Sequence, residues 1–498
     1  MSAVTIAEAL ELEAIAKANG WSEEQLLNLA GQRLGRVIGL RFPHPGTAIA
    51  YLGKGHNAAD ALIALRTLRD QYGWKIAIRC AYSRTELAPL TQMKWQEIGE
   101  CPTLDSPPVV QDLDQPLLLL DGLLGTGSRA PLKMPLLTLA REMDSLRKSA
   151  GARVAAIDLP SGINPDSGLI LPDTVTADVT FMIANAKCGL LNGHAAASTG
   201  SLAIVAVGPL TATFPTDKEL ISPQSLDFGK APRPFDFHKG MAGRVAILAG
   251  SDAYVGAAVL AASGALYGGA GLVTLFVTRS AHSLISAKCP PEIIIRAIEN
   301  PREVLKHRFD ALVLGCGLGA MDAMFEEGLL ELIRDSLSPT VVDADALNSI
   351  ARLDKLDVFQ AHHVLTPHPA EFLRLAPDLA ALSREEAARE FTDRCPATLL
   401  LKGCRTLVTR RGEPLWCNAT GTPGMATGGQ GDLLAGVIGA RLAIGETTLH
   451  AASLSTWICG RSAEIALEEK GISEESLTPS HVLRFLGAAF QDWRTACR

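Results

Sequence analysis

Short runs rich in leucine and β-branched residues recur along this chain, separated by segments whose apolar positions repeat every three to four residues. In the first half, TAIAYLG (47–53), WKIAIRC (74–80), PLLLLDG (116–122), RVAAIDL (153–159), DVTFMIA (178–184) and LAIVAVG (202–208) predict strands. Between the first two, AADALIALRTLRDQYG (58–73) predicts a helix. Several runs end directly in Gly, Asp or Ser. Strand, loop and helix in alternation imply a parallel sheet with helices on both faces, here a Rossmann-like three-layer αβα sandwich, with ligands at the strands' C-terminal ends.

From Gly208 to Phe237 the periodicity is lost, and Pro209, Pro215, Pro223, Pro232 and Pro234 interrupt the chain. This predicts a linker over 211–237 between one domain at 1–210 and another at 238–498. The second half restarts with RVAILAG (244–250), LVTLFVT (272–278), ALVLGCGLG (311–319), PTVVDADAL (339–347), HVLTPHPAEF (363–372) and ATLLLKGCRTLVTR (397–410), so it too is α/β.

A length of 498 residues agrees with two large domains. The net charge of −7, with no long basic run, argues against a nucleic-acid surface. Ala253 to Thr278 carries no charge, yet glycines divide it into a buried helix, a turn and a buried strand, so no membrane span is expected. The N-terminal MSAVTIAEALELEAIAKANG has early acids and no basic region before an apolar core; it reads as an amphipathic helix, not a signal peptide. Ten cysteines without a CxxC pair predict buried free thiols in a reducing, cytoplasmic setting.

Four loops of the second half concentrate unusual chemistry after apolar strands. GCGLG (315–319) lacks dinucleotide-fingerprint spacing and reads equally as a tight turn. TPHPAE (366–371) stiffens His368 between two prolines, where a lone His is usually structural, and LKGCRT (401–406) brings Lys402 and Arg405 out at a strand end, where a solvent-exposed β-hairpin is the plain alternative. In GMATGGQGDLLAG (424–436), glycines that let backbone N–H groups approach a phosphate lead to one acid, Asp432, as a helix opens. An acid there is either a helix cap or a base that takes a proton from whatever meets the phosphate. GxxxxGK[ST] and the protein-kinase motifs are absent.

Together these loops resemble the ribokinase-like fold. HKGMAGRVAILAGSDAYVGAAVLAASGALYGGAGLVTL, PPEIII, GCGLG, VVDADALN, TPHPAEF, LKG, NATGTPGMATGGQGD and LLAGVIGA follow the order of the ADP-dependent NAD(P)H-hydrate dehydratases across 238–498. The resemblance implies a substrate, NADHX or NADPHX, in which water has added across a ring double bond. Asp432 would deprotonate the ring hydroxyl as it attacks the terminal phosphoryl group of ADP or ATP, and the phosphate would leave as the double bond returns. It further implies that Ala257, Gly317, His368 and Asp432 line the hydrate site. Lys402, Gly403, Cys404, Arg405 and Thr406 would hold the adenine nucleotide with Gly429 and Gly431, and Mg2+ would accompany it. Cys316 and Ala370 stand where that family has Pro and Gly.

In the first half, GKGHNAADA (53–61) follows a strand and opens a helix, DGLLGTGSR (121–129) follows another, and IDLPSGINPDSG (157–168) puts Asp158 at a strand end. These resemble the NAD(P)H-hydrate epimerase domain, which interconverts the R and S hydrates. By that resemblance Asp158 is the base, Asn57, Asp121 and Ser161 hold K+, and substrate contacts come from His56, Asn57, Ala58, Ala59 and Asp60. Gly125, Thr126, Gly127, Ser128, Arg129, Ala130 and Pro131 would wrap the pyrophosphate. The family reads GNNGGDG where this chain has GHNAADA, and each added methyl obstructs close backbone approach or positive φ. That leaves two alternatives, an active epimerase or a scaffold.

Both families commonly form homo-oligomers, which the resemblance carries over. Two other readings stay open: a ribokinase-like small-molecule kinase, betrayed by an accumulating phosphate ester, and a first half that binds nucleotide as a sensor without turnover.

Overall fold

Six apolar runs of the first half pair as one parallel sheet: β1 (Thr47–Leu52), β2 (Lys75–Cys80), β3 (Leu117–Gly122), β4 (Arg153–Ile157), β5 (Val179–Ile183) and β6 (Ser201–Val205). Their order is β2-β1-β3-β4-β5-β6. Every residue of β1 and β3 is buried, Thr47 and Asp121 included, so neither strand alternates between apolar and polar faces. The chain visits β2 on one side of β1 and then crosses to β3 on the other. That reversal opens a crevice between the loops that follow β1 and β3.

This computed structural model describes residues 1–127, 131–212, 214, 216–226 and 232–495, and divides into units Met1–Thr216 and Asp217–Arg498. In the first unit, α1 (Glu23–Arg41) lies against α2 (His56–Tyr72). Gly31, Gly35 and Gly39 recur every four residues on α1, and a Cβ on them would come within 2.6, 2.5 and 2.5 Å of Ile63, Thr67 and Tyr72. The missing side chains are what let the helices touch.

The second unit holds β7 (Lys218–Leu220), β8 (Arg244–Leu248), β9 (Leu272–Thr278), β10 (Ile294–Ile298), β11 (Ala311–Leu314), β12 (Thr340–Val342), β13 (His363–Leu365), β14 (Thr398–Leu401), β15 (Leu407–Thr409) and β16 (Leu415–Cys417). They form one sheet in the order β10-β9-β8-β11-β12-β13-β14-β15-β16-β7. It is parallel except where β15 runs against β14 and β16. Its switch point falls between β8 and β11, whose following loops meet through Gly250 N to Cys316 O at 2.8 Å. The helices used below are α3 (Val255–Tyr267), α4 (Ala323–Asp335), α5 (Ala344–Arg352), α6 (Pro369–Leu375) and α7 (Gln430–Ala443).

The uncharged segment is α3 and β9 as expected, and no helix among the described residues is long and apolar enough to cross a membrane. One reading needs correction. The expected linker contains β7, which pairs with β16; an edge strand this short has no period to detect. The run 397–410 forms the β-hairpin that was one of its two readings, two antiparallel strands turned at Gly403 (φ +143°).

Candidate functional site

In the second unit, Gly429 caps α7 with φ +93°, and a Cβ there would lie 2.5 Å from Leu260. The first helical bond runs from Leu433 N to Gly429 O, so the preceding N–H groups of Gln430, Gly431 and Asp432 are left pointing out of the helix start. This is the nest the glycines predicted. Asp432 sits inside it, with a carboxylate oxygen within 4.8 Å of Cys316 Sγ and of an Asp343 oxygen. Burial above all, and then the Asp343 charge, push the Asp432 carboxyl up to about 6.

Asp343, at the end of β12 and 1% exposed, binds the Lys402 ammonium at 2.8 Å. Lys402 also lies 3.9 Å from Glu371. A Cβ on Gly431 would be 3.2 Å from Lys402 Nζ, so the ammonium stands beside the nest. Burial and the adjacent Asp343 and Asp432 carboxyls push the Cys316 thiol far up, leaving it neutral. Gly317 has φ +63°, and a Cβ on it would meet Ala257 and Tyr254, each at 2.7 Å. Thus Ala257, Gly317 and Asp432 converge through Cys316.

His368 caps α6: its Nδ1 accepts from Ala370 N and Glu371 N, and its Nε2 lies 3.3 Å from Glu371 Oε1. It reaches the acid through Glu371, Lys402 and Asp343. In the 402–406 loop Cys404 is exposed, and Thr406 Oγ1 donates to Gly403 O at 3.0 Å. Arg405 does not come out at the strand end; it is buried at φ +55° and donates to Ala419 O. Arg384 braces this loop through the carbonyls of Leu401, Lys402 and Cys404. Sequence reasoning missed Asp343 and Arg384. An acid just past the apolar TVV run was a signal for the first, and nothing marked the second.

In the first unit, Asp158 adopts φ +65° and its Oδ1 accepts from Ile183 N (3.0 Å) and from the buried Lys187 ammonium. Its Oδ2 has no donor among the described residues. Asp60, on the first turns of α2, is buried with Oδ1 unpartnered. Burial, then the Asp158 charge, push the Asp60 carboxyl well above the ordinary aspartate range. Asp121 accepts from Ser161 N and Oγ, both at 2.7 Å, and from Leu123 N at 3.2 Å. Despite these donors, burial raises its carboxyl to about 6. Asn57 Nδ2 donates to Leu124 O at 3.1 Å, the carbonyl that also faces Ser161 Oγ at 3.2 Å.

The alanines do not obstruct as feared. Ala58, Ala59 and Ala61 lie inside α2 without positive φ, and their methyls are buried in apolar clusters, Ala59 with Leu27 and Ile63. His56 opens the helix, exposed, 3.6 Å from Glu23. Gly125 packs on Asn57, Gly127 has open space around it, and Pro131 is exposed. Ser128, Arg129 and Ala130 lie outside the described residues. Of the nine described cysteines, all free, four are buried and Cys404 is exposed, so the expectation of buried thiols holds only in part.

A family model described as NAD(P)H-hydrate dehydratase matches residues 245–485, and one described as YjeF-related protein N-terminus matches 23–189. The bifunctional NAD(P)H-hydrate repair enzyme Nnr of Gloeobacter violaceus is 32% identical over 94% of this chain and 96% of its own length. That of Coxiella burnetii is 31% identical over 93% and 94%. Among solved structures, a ribokinase-like superfamily protein from Enterococcus faecalis matches the fold with TM-score 0.50 and 23% identity, over 57% of this chain and 98% of that one.

Proposed function

The chain belongs to the bifunctional NAD(P)H-hydrate repair enzymes, and from that premise we propose how its two sites carry out the repair. Residues 238–498, with β7, dehydrate the S hydrate of NADH or NADPH using ADP or ATP. Residues 1–210 interconvert the R and S hydrates. The observation that carries the reading is Asp432, a carboxyl raised to about 6 inside a nest of unpaired N–H groups.

Asp432 takes the proton of the ring hydroxyl, and the oxygen bonds to the terminal phosphorus as the bond to the rest of the nucleotide breaks. A base near 6 accepts such a proton better than an ordinary aspartate and is still ionised at neutral pH. The α7 N–H groups and Lys402 face the negative charge that develops on the phosphoryl oxygens. Phosphate then leaves with the C–O electron pair, the ring gives up a proton, and the double bond returns. The net change is loss of water from the hydrate and hydrolysis of one phosphoanhydride.

The Cys316–Asp343–Asp432 patch is a poor magnesium cage: one donor is a neutral thiol and one carboxylate is held by Lys402. Mg2+ bound to the nucleotide would neutralise phosphate charge, and no protein carboxylate is assigned to it. In the first unit the donor set fits K+. Asp121, Ser161, Leu124 O and the Asn57 amide bring hard oxygens together, and a cation held there would counter the substrate's pyrophosphate charge.

For epimerisation, Lys187 holds Asp158 by one oxygen and leaves the other for the hydroxyl-bearing centre. Asp60 beside it carries a proton to return, the divided roles that unlike environments give two acids. The free thiols suit a reducing compartment, which we take to be the cytoplasm.

The test incubates the purified chain with ADP and a mixture of both hydrates of NADH. The expected result is loss of both epimers, with one phosphate released per reduced nicotinamide regained. A stable phosphate ester would make this a small-molecule kinase, and loss of the S epimer alone would make the first unit a scaffold.

A further inference from the structure

A cavity of about 740 Å3 opens beside the 315–319 loop in the second unit, and none of the groups just assigned to catalysis lines it. Gly319, Asp345, Asn348, Arg352, Leu373 and Arg374 are among its lining residues. On α5, Asp345, Asn348 and Arg352 follow at intervals of three and four residues. They share one face, about 10 Å from first to last.

We infer that this cavity receives the adenosine half of the hydrated coenzyme and that Arg374, aided by Arg352, holds one of its phosphate groups. The inference rests on the dehydratase reading. Position supports it first. Gly319 stands two residues from Gly317 on the loop that carries the hydrate site, and Asp345 fixes that loop by accepting from Gly319 N at 2.8 Å. A dinucleotide whose ring hydroxyl meets Asp432 must send its other half somewhere, and the groove starts here. The 402–406 loop follows β14, three places along the sheet from β11, so the phosphoryl donor approaches elsewhere.

Charge supports it next. Arg374 donates to the Asn348 amide oxygen at 2.7 Å and has no carboxylate partner among the described residues, so an exposed guanidinium is aimed and uncommitted. Arg352 pairs with Glu326, a buried acid also held by Ser349 Oγ at 2.6 Å, which fixes Arg352 at the rim. A planar, oriented guanidinium is the group that grips a phosphate by two parallel bonds. Finally, Leu373 is 45% exposed on the same rim and offers an apolar surface for a base. The volume is that of a dinucleotide-scale ligand site.

The phosphate could be the pyrophosphate, common to both coenzymes, or the 2′-phosphate of NADPH alone. Their shared chemistry is a phosphate ester anion, and one experiment separates them. Full-length R374A and R374K are assayed with the S hydrates of NADH and of NADPH at saturating ADP, and titrated with NADPH by fluorescence. For R374A the KM for hydrate and the Kd for NADPH should rise about tenfold or more, with a much smaller change in kcat, and R374K should recover part of the loss. A rise on both hydrates identifies the pyrophosphate, and a rise confined to the NADPH form identifies the 2′-phosphate. A hydrate KM and NADPH Kd within about twofold of the parent would overturn the inference, as would an increase that falls on ADP instead. A parent enzyme that turns over neither hydrate would sink the dehydratase reading itself.

Discussion

Lys402 neutralises Asp343, not Asp432: its Nζ lies 2.8 Å from Asp343 Oδ1. A buried acid and a half-buried one, side by side, therefore meet different fates. Asp343 has a direct counter-charge, while burial and the Asp343 charge push the Asp432 carboxyl up to about 6, a better base than an ordinary aspartate. Replacing Asp432 with Asn should lower ADP-dependent dehydration by about 10²–10⁴-fold. Epimerisation by the same chain should be unaffected, which is checked by following each epimer separately.

The same carboxyl sets a pH dependence and a stability cost. In the proposed mechanism the ionised form is the base, so kcat/KM for dehydration should fall on the acid side with an apparent pKa near 6, and D432N should lose that limb. Folding raises this pKa from 3.8, so the stabilising contribution is full below 3.8 and is lost as pH rises through about 6. At neutral pH the charge opposes folding. D432N should therefore be more stable than the parent by on the order of 1–3 kcal/mol, read from urea midpoints.

Lys187 is 4% exposed and ion-paired with Asp158. K187M leaves that carboxylate nearly buried without its counter-charge, a loss of about 3–5 kcal/mol by analogy with other broken buried pairs. The expected result is a lower melting transition for the first unit and loss of R-to-S conversion. Dehydration of supplied S hydrate should persist, and its loss would refute the assignment of Lys187 to the epimerase alone.

At Gly431 an added methyl would stand 3.2 Å from Lys402 Nζ and 3.8 Å from an Asp343 oxygen. G431A should fold, because this position has ordinary helical φ, yet it should crowd the ammonium and the phosphoryl oxygens. A fall in kcat of about 10–100-fold is expected, less than the roughly 10²–10³-fold cost of removing an oxyanion donor outright, because here the donor is displaced and not removed. Steady-state kinetics at saturating ADP would show it.

Ser161 Oγ touches both Asp121 and Leu124 O. Epimerisation by the parent should rise and saturate with K+ at constant ionic strength. S161A should need at least about tenfold more K+, alongside a stability loss of about 1 kcal/mol. Equal rates in K+ and in choline for the parent would remove potassium from this site.

Much of both sites was legible beforehand because their residues lie directly after apolar strands, where a parallel sheet delivers its loops. Asp121, Asp158 and Asp432 each stand within or just beyond such a run or nest. Their settings were not legible. Arg405 looked like a solvent-facing cation, but the hairpin turns it inward onto Ala419 O. The alanines of GHNAADA looked like obstructions because the family has glycines there; the helix, predicted from 58 and found to begin at His56, turns those methyls into the core.

What the chain's order of residues determined alone was the alternation of strand and helix, the nest at Gly429–Gly431 and the two-part plan, since these follow from local periodicity and from backbone freedom at glycine. What the tertiary structure decided was which charges meet. Asp343 and Lys402 are 59 residues apart and Asp158 and Lys187 are 29 apart, and parallel strands with intervening helices bring each pair into contact. A proton's affinity for a carboxylate depends on water and charges a few ångströms away in space, and no local pattern along a chain encodes that distance.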